Sequence, residues 1–209
     1  MVKEIIDKIE WLGHDTFRIS NDLTIYFDPY QIKAGKAADI IFVTHPHFDH
    51  CSPEDIEKIK KDDTVIVTEK EAAKMLSGKI EVMSPGDESI VKGVEVKAVP
   101  AYNIGKTFHP KHKGWLGFII EIKGVRIYHA GDTDLIPEMK DIKADIALLP
   151  VSGTYVMTAE EAIQAALAIK PQVAIPMHYG AIVGSQADAE RFAKGLKEKI
   201  EVVILPKTE

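Results

Sequence analysis

Short apolar, β-branched runs bounded by turn formers alternate along this chain with amphipathic stretches of helical period. In its first part the pattern predicts strands over 4–12, 16–20 and 23–28, the last two joined by a turn at Asn21-Asp22. The run Asp-Ile-Ile-Phe-Val-Thr at 39–44 is apolar throughout and reads as a buried strand. Behind it, Ser52, Pro53, Glu54 and Asp55 supply a helix cap, a proline suited to the first helical position and acids for the first turn, so a helix follows over 53–61. A strand at 64–68, a helix at 69–77 opened by the capping-box pair Thr68 and Glu71, and short strands near 80–83, 89–91 and 94–100 close this half.

The second half repeats the scheme. Strands are predicted over 115–122 and 125–130 across a Lys123-Gly124 turn, then a short helix near 135–140 and a strand at 145–149. A helix over 158–170 starts at a second capping box, Thr158 with Glu161, before a strand at 172–176, a helix at 186–198 and a strand at 201–205. Strands followed by helices, twice over, predict two sheets packed together with helices outside, in halves of roughly 1–100 and 101–209. A single α/β sheet is the alternative layout.

Length and composition narrow the class. With 209 residues, 45% apolar and 28% charged, the expectation is one soluble globular domain spanning 1–209. No run approaches the ~18 apolar residues of a membrane span, and the opening Met-Val-Lys-Glu-Ile-Ile-Asp has no signal core, so a cytoplasmic protein is expected. A net charge of −6 argues against a general nucleic-acid surface and for a small-molecule substrate. Cys51 is the only cysteine, which excludes an intramolecular disulfide. Its position directly after His50 suits a small residue packed at a helix start better than a ligand.

Candidate chemistry concentrates at strand ends. Thr-His-Pro-His-Phe-Asp-His at 44–50 places His45, His47, Asp49 and His50, all ligand types for zinc and related ions, between a strand and a helix start. Asp132 follows a strand and the glycine of Ala-Gly-Asp-Thr-Asp, and His178 follows a strand in Pro-Met-His-Tyr-Gly. The recurrence of buried strand, then acid or imidazole, points to a metal site held on a rigid scaffold.

On these residues the chain resembles the metallo-β-lactamase-fold hydrolase superfamily. THPHFDH matches its HxHxDH motif, AGDTD its bridging-aspartate motif and PMHYG its last-histidine motif, and the likeness runs from Trp11-Leu-Gly-His14 through His178. More narrowly it is similar to the small single-domain branch that includes L-ascorbate-6-phosphate lactonase-like proteins. The resemblance implies an α+β fold, a four-layer αβ/βα sandwich with the metal site at one edge. It implies two divalent ions, zinc first, with manganese, nickel or iron compatible: His45 and His47 on one, Asp49, His50 and His178 on the other, Asp132 bridging. Asp49 would also serve catalysis by orienting the nucleophile. The implied activity is that of a metal-dependent hydrolase whose metal-bound hydroxide attacks a small, anionic ester, lactone or phosphodiester. A nucleic-acid phosphodiesterase and a non-hydrolytic metal-binding or redox protein are the alternatives.

One departure stands out. The family's first metal takes a third histidine near a strand end, where this chain has Asn103. His14 and His109 are the replacement candidates, as ligands or as donors behind them. The segment from Asn103 to Gly114 carries Lys106, Lys111 and Lys113 and no acid, so Asn103 and these lysines are candidate substrate contacts: the segment is either a basic lid for an anionic substrate or an exposed solvated loop whose lysines aid solubility.

Overall fold

The computed structural model describes residues 1–33 and 35–208. Its first sheet has the order β1-β2-β3-β4-β5-β6, formed by β1 (Ile9–Gly13), β2 (Thr16–Ser20), β3 (Thr24–Phe27), β4 (Ile40–Val43), β5 (Val65–Thr68) and β6 (Lys79–Val82). The first three strands run antiparallel, and β3 through β6 are parallel. In the second sheet β7 (Glu88–Val91), β8 (Val94–Pro100), β9 (Leu116–Ile122) and β10 (Val125–His129) are antiparallel neighbours. Beside β10 stand β11 (Ile146–Pro150), β12 (Val173–Met177) and β13 (Glu201–Val202), all parallel. The result is the expected sandwich of two mixed sheets with helices outside.

Strand patterns follow what each face meets. All four residues of β4 are buried: Ile40 and Phe42 enter the core between the sheets, while Ile41 and Val43 enter a smaller core under helix α2 (Pro53–Ile59). β8 covers only one face, so buried Val94, Val96 and Ala98 alternate with exposed Glu95 and Lys97. Phe42 connects the layers, stacking on Phe27 at 5.0 Å between centroids and meeting Phe118 of the opposite sheet at 4.9 Å. Helix α3 (Ala159–Ile169) begins at the Thr158–Glu161 capping box, and its buried Ala162, Ala165 and Ala166 let it lie close to the sheet. Helix α4 (Gln186–Leu196) buries Ala189, Phe192 and Leu196. Among the described residues no helix is long and apolar enough to cross a membrane.

Several elements differ from what the sequence pattern predicts. The strand expected over 4–12 is a short helix, Val2–Ile6, followed by β1; helical spacing lets Ile5 reach the core. The helix expected over 69–77 shrinks to a 3-10 turn, Ala72–Met75, because Thr68 stays in β5 and donates to Val43 O, while Glu69 accepts from the Glu71 and Ala72 amides. The helix near 135–140 is likewise a 3-10 turn, Pro137–Asp141. Strands β7 and β8 join the second sheet, so the sheets divide between β6 and β7 rather than near residue 100.

The sheets touch at the edge where β4 and β9 lie close: Leu116 N donates to Thr44 O at 3.1 Å. Gly131 closes this corner at φ 62°, and a Cβ there would lie 2.7 Å from Leu116 O and 3.2 Å from the Thr44 side chain. Backbone conformation and space both demand glycine. Gly131→Ala is expected to cost about 2–3 kcal/mol, seen as a fall of about 5–10 °C in melting temperature. An unchanged melting curve would show that this corner can relax.

Candidate metal centre

Loops at that same edge bring together residues far apart in sequence. His45 Nε2 lies 2.9 Å from His47 Nδ1, and His109 Nε2 lies 3.1 Å from the same atom. These three form one group of potential ligands, with atoms within 4.8 Å of one another. His14, Asp49, His50 and His178 form a second group on the same criterion, within 4.8 Å. Asp132 stands between them. Its Oδ2 is 3.1 Å from His109 Nε2 and 3.3 Å from His178 Nε2, and its Oδ1 is 3.3 Å from His50 Nε2.

The two replacement candidates therefore part company. His109 sits with His45 and His47, where a third histidine was missing. The chain leaves Asn103, makes a short excursion and returns: Asn103 N donates to His109 O at 2.7 Å, and Asn103 Nδ2 lies 3.2 Å from His109 Nδ1 and 2.6 Å from Tyr155 O. Asn103 is buried and fastens this loop through its backbone and its Nδ2, while its Oδ1 has no hydrogen-bond partner. His14 belongs to the other group, its Nε2 3.1 Å from Asp49 Oδ2. Strained backbone marks the same places, with His14 at φ 52°, Asp28 at 41°, His109 at 57° and His178 at 61°.

Behind the ligands lies a residue that the motifs did not reveal. Asp28, fully buried after β3, accepts from His50 Nδ1 at 2.7 Å, from Thr44 Oγ1 at 2.7 Å and from Thr44 N at 2.8 Å. Since Thr44 gives its proton to Asp28, its oxygen accepts from His45 Nδ1, 2.9 Å away. One carboxylate thus sets the tautomer of an imidazole in each group and leaves both Nε2 atoms facing the centre. Ser152 Oγ does the corresponding job for His178 Nδ1 at 2.8 Å. The indole of Trp115 walls the first group, 4.9 Å from the His45 ring and 4.8 Å from that of His47. A carboxylate directly after a buried strand and before Pro29 was the available signal for Asp28; Trp115 and Ser152 had none.

The charge pattern is uneven. Burial, reinforced by the His50 charge, holds the His45 imidazole well below its ordinary range, and burial likewise lowers His47. Burial pulls His50 and His178 down too, but Asp132 outweighs it, aided by Asp28 and Asp15 respectively: His50 is pushed well up and His178 to about 9. Burial alone would raise Asp49, yet the His14 hydrogen bond and the His50 charge hold it at about 2. Asp15 is fully buried with neither oxygen hydrogen-bonded, and burial raises its carboxyl well above the usual range.

The remaining candidates from the sequence fall elsewhere. Cys51 is buried in the small core, its thiol pushed up to about 12 by burial, in keeping with a packed residue. The three lysines of the loop do not form a free basic lid. Lys106 pairs with Asp134, Lys111 with Glu138 at 2.8 Å and Lys113 with Glu71 at 3.0 Å. Acids from other segments neutralise the loop and fasten it down. Tyr102 donates to Glu138 and Tyr179 stacks on Trp11, whereas Tyr155 stays half-buried beside Phe108.

Comparison with known proteins identifies the family. The profile of the beta-lactamase superfamily domain matches residues 8–178. A metal-dependent hydrolase of Thermoplasma acidophilum is 37% identical over 97% of this chain and 96% of its own, and one from Archaeoglobus fulgidus is 34% identical over 95% of each. Among solved structures, a Parabacteroides distasonis protein classed with the metal-dependent hydrolases is 36% identical and superposes with a TM-score of 0.86, covering 96% of this chain and 93% of that one. Igni18, a metallo hydrolase from Ignicoccus hospitalis, shares the fold with a TM-score of 0.80 at 24% identity, over 96% of this chain and 95% of its own.

Two outcomes are expected. Asp28→Asn keeps one acceptor oxygen but removes the charge and turns the other oxygen into a donor, so Thr44 and His50 can no longer all be satisfied, and metal affinity measured by chelator competition should fall about 10–100-fold in a folded protein; unaltered affinity would contradict the role given to Asp28. Secondly, His178, with its pKa at about 9, is protonated near neutrality in the metal-free protein. Metal uptake must displace that proton, so affinity should rise with pH up to about 9, with proton release visible by calorimetry in buffers of unequal ionisation heat. An affinity flat over that range would contradict it.

Proposed function

Because the chain belongs to the metallo-β-lactamase superfamily of metal-dependent hydrolases, we propose that it is a binuclear hydrolase of small esters, lactones or phosphodiesters. His45, His47 and His109 would hold one divalent ion and Asp49, His50 and His178 the other, with Asp132 shared. The observation that carries this reading is Asp132 itself, one buried carboxylate within 3.3 Å of imidazoles from both groups. The donors fit such ions. His50 Nε2 and Asp132 Oδ1 are buried only 3.3 Å apart with no well-formed hydrogen bond between them, and a divalent ion taking the place of the His50 proton would bind both. An imidazole-rich set with carboxylates suits zinc first.

Such ions, when bound, would supply Lewis acidity, which lowers the pKa of a water and polarises a substrate oxygen. The protein's own groups do the rest. Asp49 stays ionised because His14 donates to its Oδ2. Its Oδ1 is left to accept a hydrogen bond from the attacking water and to pass that proton to the leaving group. Thr44 and Ser152 fix ring orientations from behind. Neither Ser152 nor Cys51 is set up as a nucleophile: Ser152 accepts from Nδ1–H of His178, a ring that already holds its protons near neutrality and cannot take another, and the Cys51 thiol stays protonated. The acidic net charge of −6 favours a small-molecule substrate over nucleic acid.

Metal analysis coupled to a panel of ester, lactone and phosphodiester substrates tests the reading. The wild-type protein should carry two ions per chain. Asp132→Ala should lose metal and turnover together, the latter by roughly 10³-fold. His14→Ala should keep both ions while turnover falls about 100-fold, because Asp49 loses the donor that orients it. Full metal content and activity in Asp132→Ala would defeat the binuclear reading, and loss of one ion in His14→Ala would make His14 a ligand.

A further inference from the structure

Solvent reaches the centre from the side of His47 and Asp49, which are partly exposed while His14, His45, His50, His109, Asp132 and His178 are buried. Exposed apolar side chains gather there. Phe48, between His47 and Asp49, is 66% exposed, and Phe108, next to His109, is 50% exposed. Each ring has a tyrosine against it: Tyr30 meets Phe48 edge-on at 5.8 Å, and Tyr155 meets Phe108 at 4.9 Å. The Phe108 ring also lies 6.4 Å from that of His47, and Tyr30 lies 6.1 Å from His14. Ile104 stands exposed in the same loop as Phe108, and Ile182 in the turn after His178. Of the eight large hydrophobic side chains exposed among the described residues, these four lie on loops that carry the candidate ligands; Met1, Met75, Val82 and Ile90 are scattered elsewhere. Clustered exposed apolar surface at a site is what a binding surface presents.

The charges point the same way. Beyond the ions themselves, the rim offers an anion little: Lys106, Lys111 and Lys113 are already paired with Asp134, Glu138 and Glu71, and each would have to leave its carboxylate to meet a substrate's charge.

We propose that the site selects an uncharged substrate carrying an aryl or medium-length alkyl group, which packs against Phe48 and Phe108 while the scissile bond sits between the ligand groups. This selectivity rests on the hydrolase reading above and narrows it to esters and lactones, since a phosphodiester is anionic. It replaces the anionic preference that the lysines suggested. Rings already braced by tyrosines lose little freedom on binding, so apolar contact with them goes directly into affinity.

The test uses zinc-reconstituted protein and three hydroxamates that share a metal-binding group: acetohydroxamate, phenylacetohydroxamate and the monohydroxamate of succinate. Calorimetry should show phenylacetohydroxamate binding about tenfold or more tightly than acetohydroxamate, as burial of a ring predicts, with no gain for the succinate compound. Phe48→Ala and Phe108→Ala should each shrink the phenylacetyl preference, Phe48→Leu and Phe108→Leu should retain most of it, and Ile90→Ala, on an edge strand, should leave it intact. Equal affinities in the wild type, or a preference that survives both alanine variants, would overturn the proposal while leaving the metal centre standing. Tightest binding of the succinate compound would restore an anionic substrate. A dimer that dissociates in the alanine variants, with flat affinities, would assign the rings to a contact between copies of the chain. If no hydroxamate bound and no ester turned over, the hydrolase reading would fail and the selectivity with it.

Discussion

The Asp28 carboxylate, buried after β3, is the point on which the centre depends. It takes hydrogen bonds from His50 directly and from His45 through Thr44, so one acid orients an imidazole in each ligand group. A buried carboxylate is costly unless fully bonded, and here Thr44 N, Thr44 Oγ1 and His50 Nδ1 all point at it. The polar network that stabilises the strand end is therefore the same one that prepares the ligands. Removing it would expose an acceptor problem in the core and a tautomer problem in the site together.

The sandwich supplies rigidity where the loops need it. β4 is buried on both faces and delivers His45 directly at its end, while Leu116 N, bonded to Thr44 O, ties that end to the second sheet. Asp132 and His178 come from the second sheet, so the two sheets must keep their register for the groups to share Asp132. Strain at His14, Asp28, His109 and His178 is tolerated only because this frame is over-determined. Flexible loops could not hold four imidazoles around one carboxylate.

Much of this is legible in the sequence, and the remainder escapes it for identifiable reasons. The ligand cluster at 45–50 can be read because its residues adjoin one strand end, and Asp132 and His178 because each follows a buried run. His109 is ambiguous because its position depends on a loop that folds back onto Asn103, a contact that no period encodes. Asp28 stays hidden since a lone Asp-Pro after a strand reads equally well as a turn. The pairing of the lysines escapes the sequence because Glu71, Asp134 and Glu138 are remote from the loop, and only the fold brings them to it. The first helix reads as part of a strand because only Asp7 and Lys8 separate Ile5 and Ile6 from the apolar positions of β1. The sheet boundary is displaced because the strand pattern of β7 and β8 does not say which sheet they join.

The central claim is that Asp132 joins two ligand groups into one binuclear centre. Anomalous diffraction at the metal absorption edge, on crystals grown from metal-reconstituted protein, tests it most directly. Two peaks are predicted, one bounded by His45, His47 and His109 and the other by Asp49, His50 and His178, with Asp132 in contact with both. A single peak, or a peak that leaves Asp132 without a metal contact, would contradict the account.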